Sequence, residues 1–275
     1  MQVISCCFTV CHSRMMNFAG KVVLITGASS GIGAETAVHF ARLGADLVLA
    51  GRNAGALTKV VDACLEQGKR TPLAVTGNLE EDKHVKSLVK STIERFKKLD
   101  VLVNNAGILE MGNIENTSLE QYDRIFDVNV RSVYNLTMQA VPHLTKTKGT
   151  IVNVSSICGV RSFPGVLAYC MSKATIEQFT RCVALELAPN QVRVNAVSPG
   201  VIVTPIQKRG GLSDTAYVHF LEEAKATHAL GRPGEVSEVA EAITFLASEK
   251  SSFITGDSLP IDGGRHAMCP RVYAS

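Results

Sequence analysis

Tyr169 and Lys173 stand four positions apart in the stretch YCMSK, residues 169–173. On a helix that spacing puts both side chains on one face. An unperturbed phenol has a pKa of about 10, too high for ready proton exchange near neutrality. An ammonium beside it favours the phenolate and lowers that value. Such a phenol can protonate a forming alkoxide, and its phenolate can take a proton from an alcohol. The pair alone is common on exposed helices. Ser156 gives it meaning: it lies 13 positions earlier, at the end of an expected strand, where open α/β sheets place their ligands. Its hydroxyl can hydrogen-bond the same substrate oxygen. Ser155 is the adjacent competitor, and the spacing favours Ser156. Cys170 adjoins Tyr169 but points about 100° away around a helix and reads as a core residue.

These groups need a scaffold, and the chain supplies one in repeated units. KVVLITG (21–27), DLVLAG (46–51), 71–75, VLVNNAG (101–107), TIVNVSS (150–156), VRVNAVSPG (192–200) and SLPID (258–262) are strand-like runs. Helical spacing fills 31–43, 54–67, 81–96, a long stretch after Ser118, 168–187 and 236–246. Ser118 and Gln121 have the separation of a capping box. Strands that are solidly apolar and alternate with helices indicate a parallel sheet covered on both faces. We therefore expect an α/β fold: one doubly wound domain over 19–266, with a seven-stranded parallel sheet. Residues 1–18 read as a poorly ordered extension, 267–275 as a tail, and 205–230 as a mobile flap beside the site.

TGASSGIG (26–33) follows the first strand and opens the first helix. Gly27, Gly31 and Gly33 permit a tight turn and let backbone approach a diphosphate, while the helix start offers free N–H groups and a positive dipole end. The strand–turn–helix context is what gives a glycine triplet weight.

In this form, TGxxxGIG, the loop resembles that of the short-chain dehydrogenase/reductase family. The resemblance runs from about Lys21 to Gly264 and includes NNAG (104–107), Asn129 in DVNV, NVSS with Ser156, YCMSK, and SPGVIVT (198–204). It implies a Rossmann fold, a nicotinamide cofactor, and hydride exchange with a carbonyl or alcohol. It also implies a tetrad of Asn129, Ser156, Tyr169 and Lys173, with the Asn129 backbone holding a proton-relay water. Cofactor contacts are implied for Thr26, Gly27, Ser29, Ser30, Gly31, Ile32 and Gly33, for Asn105, Ala106 and Gly107, and for Tyr169 and Lys173. Pro199, Gly200, Ile202 and Thr204 would hold the nicotinamide amide. The family's usual adenine-contacting aspartate is replaced here by Asn78, followed by Leu79. A homotetramer, or a dimer, is the implied assembly.

The end of the second strand faces the adenosine ribose, where an acidic residue would favour NAD. This chain has Gly51, Arg52 and Asn53 there. An arginine can pair with a 2′-phosphate bidentately, so the expected cofactor is NADP(H). The expected substrate is a small, apolar ketone or secondary alcohol. Its pocket walls are Glu110–Met111, Cys158–Pro164 and the flap, and surface roles are expected for Arg161 and Arg209.

A net charge of +3 with scattered basic residues gives no nucleic-acid footprint, and no apolar run reaches the roughly 20 residues of a membrane span. The start does not read as a signal peptide. Of eight cysteines, Cys6, Cys7 and Cys11 sit near His12, without the second pair a zinc site would need. No metal is expected, and dispersed thiols suit a cytoplasmic protein. Two other readings stay open: a cofactor-holding scaffold without turnover, and a nucleotide-sugar epimerase or dehydratase, which would carry a longer C-terminal region.

Overall fold

Alternate residues of β1 (Val22–Thr26) enter two different apolar clusters: Val23 and Ile25 one, Val22 and Leu24 the other. That division is what burial on both faces requires of a strand. The computed structural model describes residues 16–68 and 70–269. Its remaining strands are β2 (Asp46–Gly51), β3 (Leu73–Thr76), β4 (Val101–Asn104), β5 (Thr150–Val154), β6 (Arg193–Pro199) and β7 (Ser258–Ile261). They form one parallel sheet in the order β3-β2-β1-β4-β5-β6-β7. The winding reverses between β1 and β4, and a crevice opens at such a reversal, outside the carboxyl ends of the strands.

On one face pack α1 (Gly31–Arg42), α2 (Ala54–Gln67) and α9 (Val236–Ala247), through Phe40, Leu57 and Ile243 among others. On the other pack α3 (Asp82–Phe96), α5 (Ser132–Thr147) and α6 (Leu167–Leu187), through Leu88, Leu136, Leu144 and Leu187. The seven expected strands are therefore present and parallel, with ends that coincide with the expectation or differ from it by up to three residues.

Three features differ from the sequence expectation. The domain starts earlier than 19: Phe18 is 3% exposed and packs edge-on against Phe40 with centroids 4.8 Å apart. The long helix after Ser118 is split into α4 (Leu119–Phe126), a π-helical turn over Asp127–Arg131, and α5. Ser118 makes only half of a capping box, its Oγ accepting from the Gln121 N–H at 3.2 Å. Residues 205–230 hold two helices, α7 (Ile206–Arg209) and α8 (Asp214–Thr227), the latter capped by Ser213. Cys6, Cys7, Cys11 and His12 lie outside the described residues.

Candidate active site

A cleft of about 690 Å³ runs along the carboxyl ends of the strands, within the size range of small-molecule sites. At one end β1 turns into α1. Gly27 and Gly31 have φ of 63° and 57°, the left-handed region that glycine adopts without Cβ strain. A Cβ on Gly33 would run into the Asn105 amide and the Gly27 carbonyl. Ser30 is the N-cap of α1 but makes no capping hydrogen bond, and the first turn carries no acidic side chain. The first N–H groups of α1 therefore keep their donors and positive end for an anion. The glycine cradle and these donors fit a dinucleotide diphosphate.

Thr26 and Gly33, included in the sequence-based binding set, do not line the cleft; they build it. Thr26 is 2% exposed. Its Oγ1 accepts from the Asn105 and Ala106 N–H groups, both at 3.0 Å, and the Asn105 amide donates to the Thr26 carbonyl at 2.9 Å. This latch ties the end of β1 to the end of β4. Gly27, Ser29, Ser30, Gly31, Ile32, Asn105, Ala106 and Gly107 do line the cleft.

Farther along, Gly51, Arg52, Asn53, Asn78 and Leu79 line the adenosine end expected from the sequence. Arg52 is exposed and makes no ion pair among the described residues. The Asn53 side chain is already engaged as the N-cap of α2, accepting from the Ala56 N–H at 2.9 Å, and Asn78 Oδ1 accepts from Glu80 N–H at 3.3 Å. Pro199, Gly200, Ile202 and Thr204 line the opposite wall.

The cleft floor brings Ser156, Tyr169 and Lys173 together. Ser156 caps a short turn after β5, its Oγ accepting from the Cys158 N–H at 3.1 Å. That bond uses a lone pair and leaves the Ser156 proton to donate. Its hydroxyl lies beside the Tyr169 phenol. Tyr169 and Lys173 share one face of α6, with Lys173 Nζ 5.7 Å from the Tyr169 ring centroid. Lys173 is 5% exposed and donates to the Val154 carbonyl at 2.8 Å. Burial pulls its pKa down to about 8, opposed by Cys158 and Glu177.

The phenol does not follow the sequence expectation. Burial drives the Tyr169 pKa above its ordinary value; the Cys158 thiol adds to the rise, and Ser156 only partly offsets it. The cost of desolvating a phenolate outweighs an ammonium whose hydrogen bond goes to Val154. The site therefore holds Tyr169 as a neutral proton donor.

Asn129 does not line the cleft either. It is 1% exposed in the π-helical turn. Its amide donates to the Ile108 carbonyl at 2.9 Å and to Ser172 Oγ at 3.0 Å, while its Oδ1 accepts from the Ile108 N–H at 2.8 Å. Ser172 in turn donates to the Tyr169 carbonyl at 2.8 Å, so Asn129 is joined to the helix of Tyr169. Sequence reasoning missed Ser172, whose only signal was its position three residues after Tyr169.

Cys170 is not a core residue. It is half-buried, its sulfur faces the Phe163 carbonyl at 4.0 Å, and the neighbouring Cys158 thiol holds its pKa below the usual thiol range. Cys158 is pushed the other way, by Cys170 and by burial. Arg161 donates to the carbonyls of Arg265, His266 and Met268, at 3.2, 2.6 and 3.0 Å. Arg209, on α7, reaches Ser30 Oγ at 3.0 Å. Arg265 lines the cleft; it follows the last strand, beyond every recognisable motif.

The family model described as enoyl-(acyl carrier protein) reductase matches residues 27–266. A 3-oxoacyl-[acyl-carrier-protein] reductase of Thermotoga maritima is 39% identical over 253 residues, covering 90% of this chain and 99% of that protein. L-Sorbose reductase from Gluconobacter frateurii, solved with NADPH and L-sorbose, superimposes with a TM-score of 0.86 at 28% identity, covering 92% of this chain and 99% of that one. Carveol dehydrogenase from Mycobacterium avium, solved with NAD, gives the same TM-score and identity over 92% of this chain and 100% of that one. The chain belongs to the short-chain dehydrogenase/reductase family of oxidoreductases, whose members bind a nicotinamide cofactor.

Proposed function

We propose that this protein is an NADP(H)-dependent oxidoreductase that interconverts a carbonyl and a secondary alcohol on a small, largely apolar substrate. The observation that carries this reading is the convergence of the Tyr169 phenol, the Ser156 hydroxyl and the Lys173 ammonium on the floor of the cleft that the glycine loop opens. NADPH, when bound, supplies the hydride. Ser156 donates its free proton in a hydrogen bond to the carbonyl oxygen. Tyr169 bonds the same oxygen and gives up its proton as negative charge develops there. Lys173, cationic near neutral pH, stabilises the phenolate left behind and would hold the nicotinamide ribose. Asn129 contributes its backbone to the relay that returns a proton, its side chain being fully used in holding the turn.

Arg52 supports NADP over NAD: no carboxylate of the residues at the end of β2 would repel a 2′-phosphate, and a guanidinium with no ion pair among the described residues lines that part of the cleft. Exposed apolar residues on α5 and α6, Tyr134, Met138 and Leu185 at 61%, 53% and 78%, support assembly through these helices into a dimer or tetramer, to be read by light scattering. No described helix is long and apolar enough to cross a membrane. The five described cysteines are free, which supports a reducing, cytoplasmic setting.

The test follows reduced-nicotinamide absorbance with a panel of ketones, aldehydes and 3-oxoacyl thioesters. Tyr169→Phe is expected to lower kcat by about a hundredfold to ten-thousandfold, the range of a positioned acid, while cofactor affinity is retained. Near-normal kcat in that variant overturns the role of Tyr169, and equal or better kcat/KM with NADH overturns the NADP assignment.

A further inference from the structure

Beyond the Tyr169 floor, the cleft lining includes the apolar side chains of Met111, Phe163, Pro164, Leu212 and Phe220, and the cation Arg265. Its placement is constructed by the chain. After β7, Gly263 and Gly264 take φ of 55° and 82°, a left-handed double step that redirects the backbone. Asp262, 4% exposed, fixes that turn by accepting from the N–H groups of Gly264 at 3.0 Å and His266 at 2.6 Å, and its oxygens also meet His266 Nδ1. Arg161 then holds the following carbonyls to the loop that carries Phe163. The Arg265 guanidinium lies over the Phe163 ring, 4.6 Å from its centroid.

This guanidinium is half-buried yet makes no ion pair and donates no side-chain hydrogen bond among the described residues. The one carboxylate close by, Asp262, is engaged with the turn. A desolvated cation without a counter-ion is costly, and burial accordingly depresses the Arg265 pKa. Cys158, Tyr169 and Arg265 all line the cleft, so the cation and the phenol share it. An aromatic seat under an arginine whose donors have no partner among the described residues suits a planar anion approached edge-on.

We propose that Arg265 is a specificity-determining residue that binds the carboxylate, or an equivalent planar anion, at the far end of an apolar oxo or hydroxy substrate. This deepens the carbonyl-reductase reading and rests on it for the position of the reacting carbon. The apolar walls take the body of the molecule, Arg265 its charged end, and Tyr169 its oxygen.

The NADP-loaded enzyme is titrated with octanoate and with octanamide, a neutral isostere, reading the thermal midpoint and heat of binding. In parallel, methyl-ketone acids of increasing chain length are assayed beside their methyl esters. Octanoate is expected to bind more tightly than octanamide, and the acids of matching length to exceed their esters in kcat/KM. Arg265→Gln should weaken octanoate about tenfold to a hundredfold, the loss of a charge-assisted bond, and leave octanamide unchanged; Arg265→Lys should recover part of it. If Arg265→Gln fails to fold, Phe163→Leu, which removes the aromatic seat along with part of the apolar wall, must weaken octanoate more than octanamide. Equal binding of octanoate and octanamide, or an equal loss for both in the variants, overturns the proposal. Arg265-dependent octanoate binding with no ketone reduced would leave the anion site standing and overturn carbonyl reduction instead.

Discussion

Replacing Lys173 by methionine separates what the buried ammonium does for the reaction from what it does to the fold. The side chain is 5% exposed, and its pKa falls from 10.5 to about 8 through desolvation. Because the folded-state value lies below the unfolded one, the protonated ammonium opposes folding. That opposition is fully present below about pH 8, declines as pH rises, and is gone above the unfolded pKa of about 10.5. Linkage over this interval gives the wild type about 2 kcal/mol of extra stability between about pH 7 and pH 9.5. A methionine variant gains nothing over the same range. It does lose the 2.8 Å bond to Val154, a cost of about 1–3 kcal/mol that does not vary with pH. Urea midpoints of cofactor-free wild type and Lys173→Met at the two pH values give the double difference, from which Tyr169 and every other shared group cancels. A difference of about 2 kcal/mol growing toward alkaline pH is expected. A flat difference would refute the picture of a desolvated ammonium beneath the phenol, and with it the proposed role of Lys173.

Thr26→Val keeps the shape of the residue but strips the acceptor from two N–H groups bound at 3.0 Å; chemical denaturation should show a loss of about 2–4 kcal/mol, with Thr26→Ser near wild type. Gly33→Ala puts a methyl group into the Asn105 amide and the Gly27 carbonyl, so fluorescence titration should show NADPH affinity reduced about tenfold or more with the circular-dichroism spectrum unchanged. Because Cys158 stabilises the Cys170 thiolate, iodoacetamide near neutral pH should label Cys170 well before Cys64, whose pKa burial pushes up to about 12; peptide mapping gives the order.

The strands and the phosphate loop were readable because their determinants are local. Val22 to Ile25 is apolar throughout, and glycines follow at fixed spacing, so neither depends on distant residues. The shared face of Tyr169 and Lys173 was readable for the same reason, being a property of one helix. What escaped depends on contacts far apart in the chain. The π-helical turn forms where Asn129 bonds Ile108 and Ser172, and nothing within DVNV announces it. The direction of the Tyr169 shift is set by burial, which needs the whole cleft to be built. Cys158 and Cys170 meet only when the loop after β5 folds back on α6, so angular position on the helix could not place them. Phe18 joins the core through Phe40, outside the first periodic run. Arg265 becomes a cleft residue only through the double glycine turn after β7.

The reversal of winding between β1 and β4 bears on how such a chain can change its chemistry. The connections that leave those two neighbouring strands diverge to opposite sides of the sheet, and the trough between them is a by-product of strand order. Rim residues such as Cys158, Phe163 or Arg265 decorate that trough without creating it. Exchanging them would rewrite what is accepted while the hollow itself, guaranteed by topology, persists.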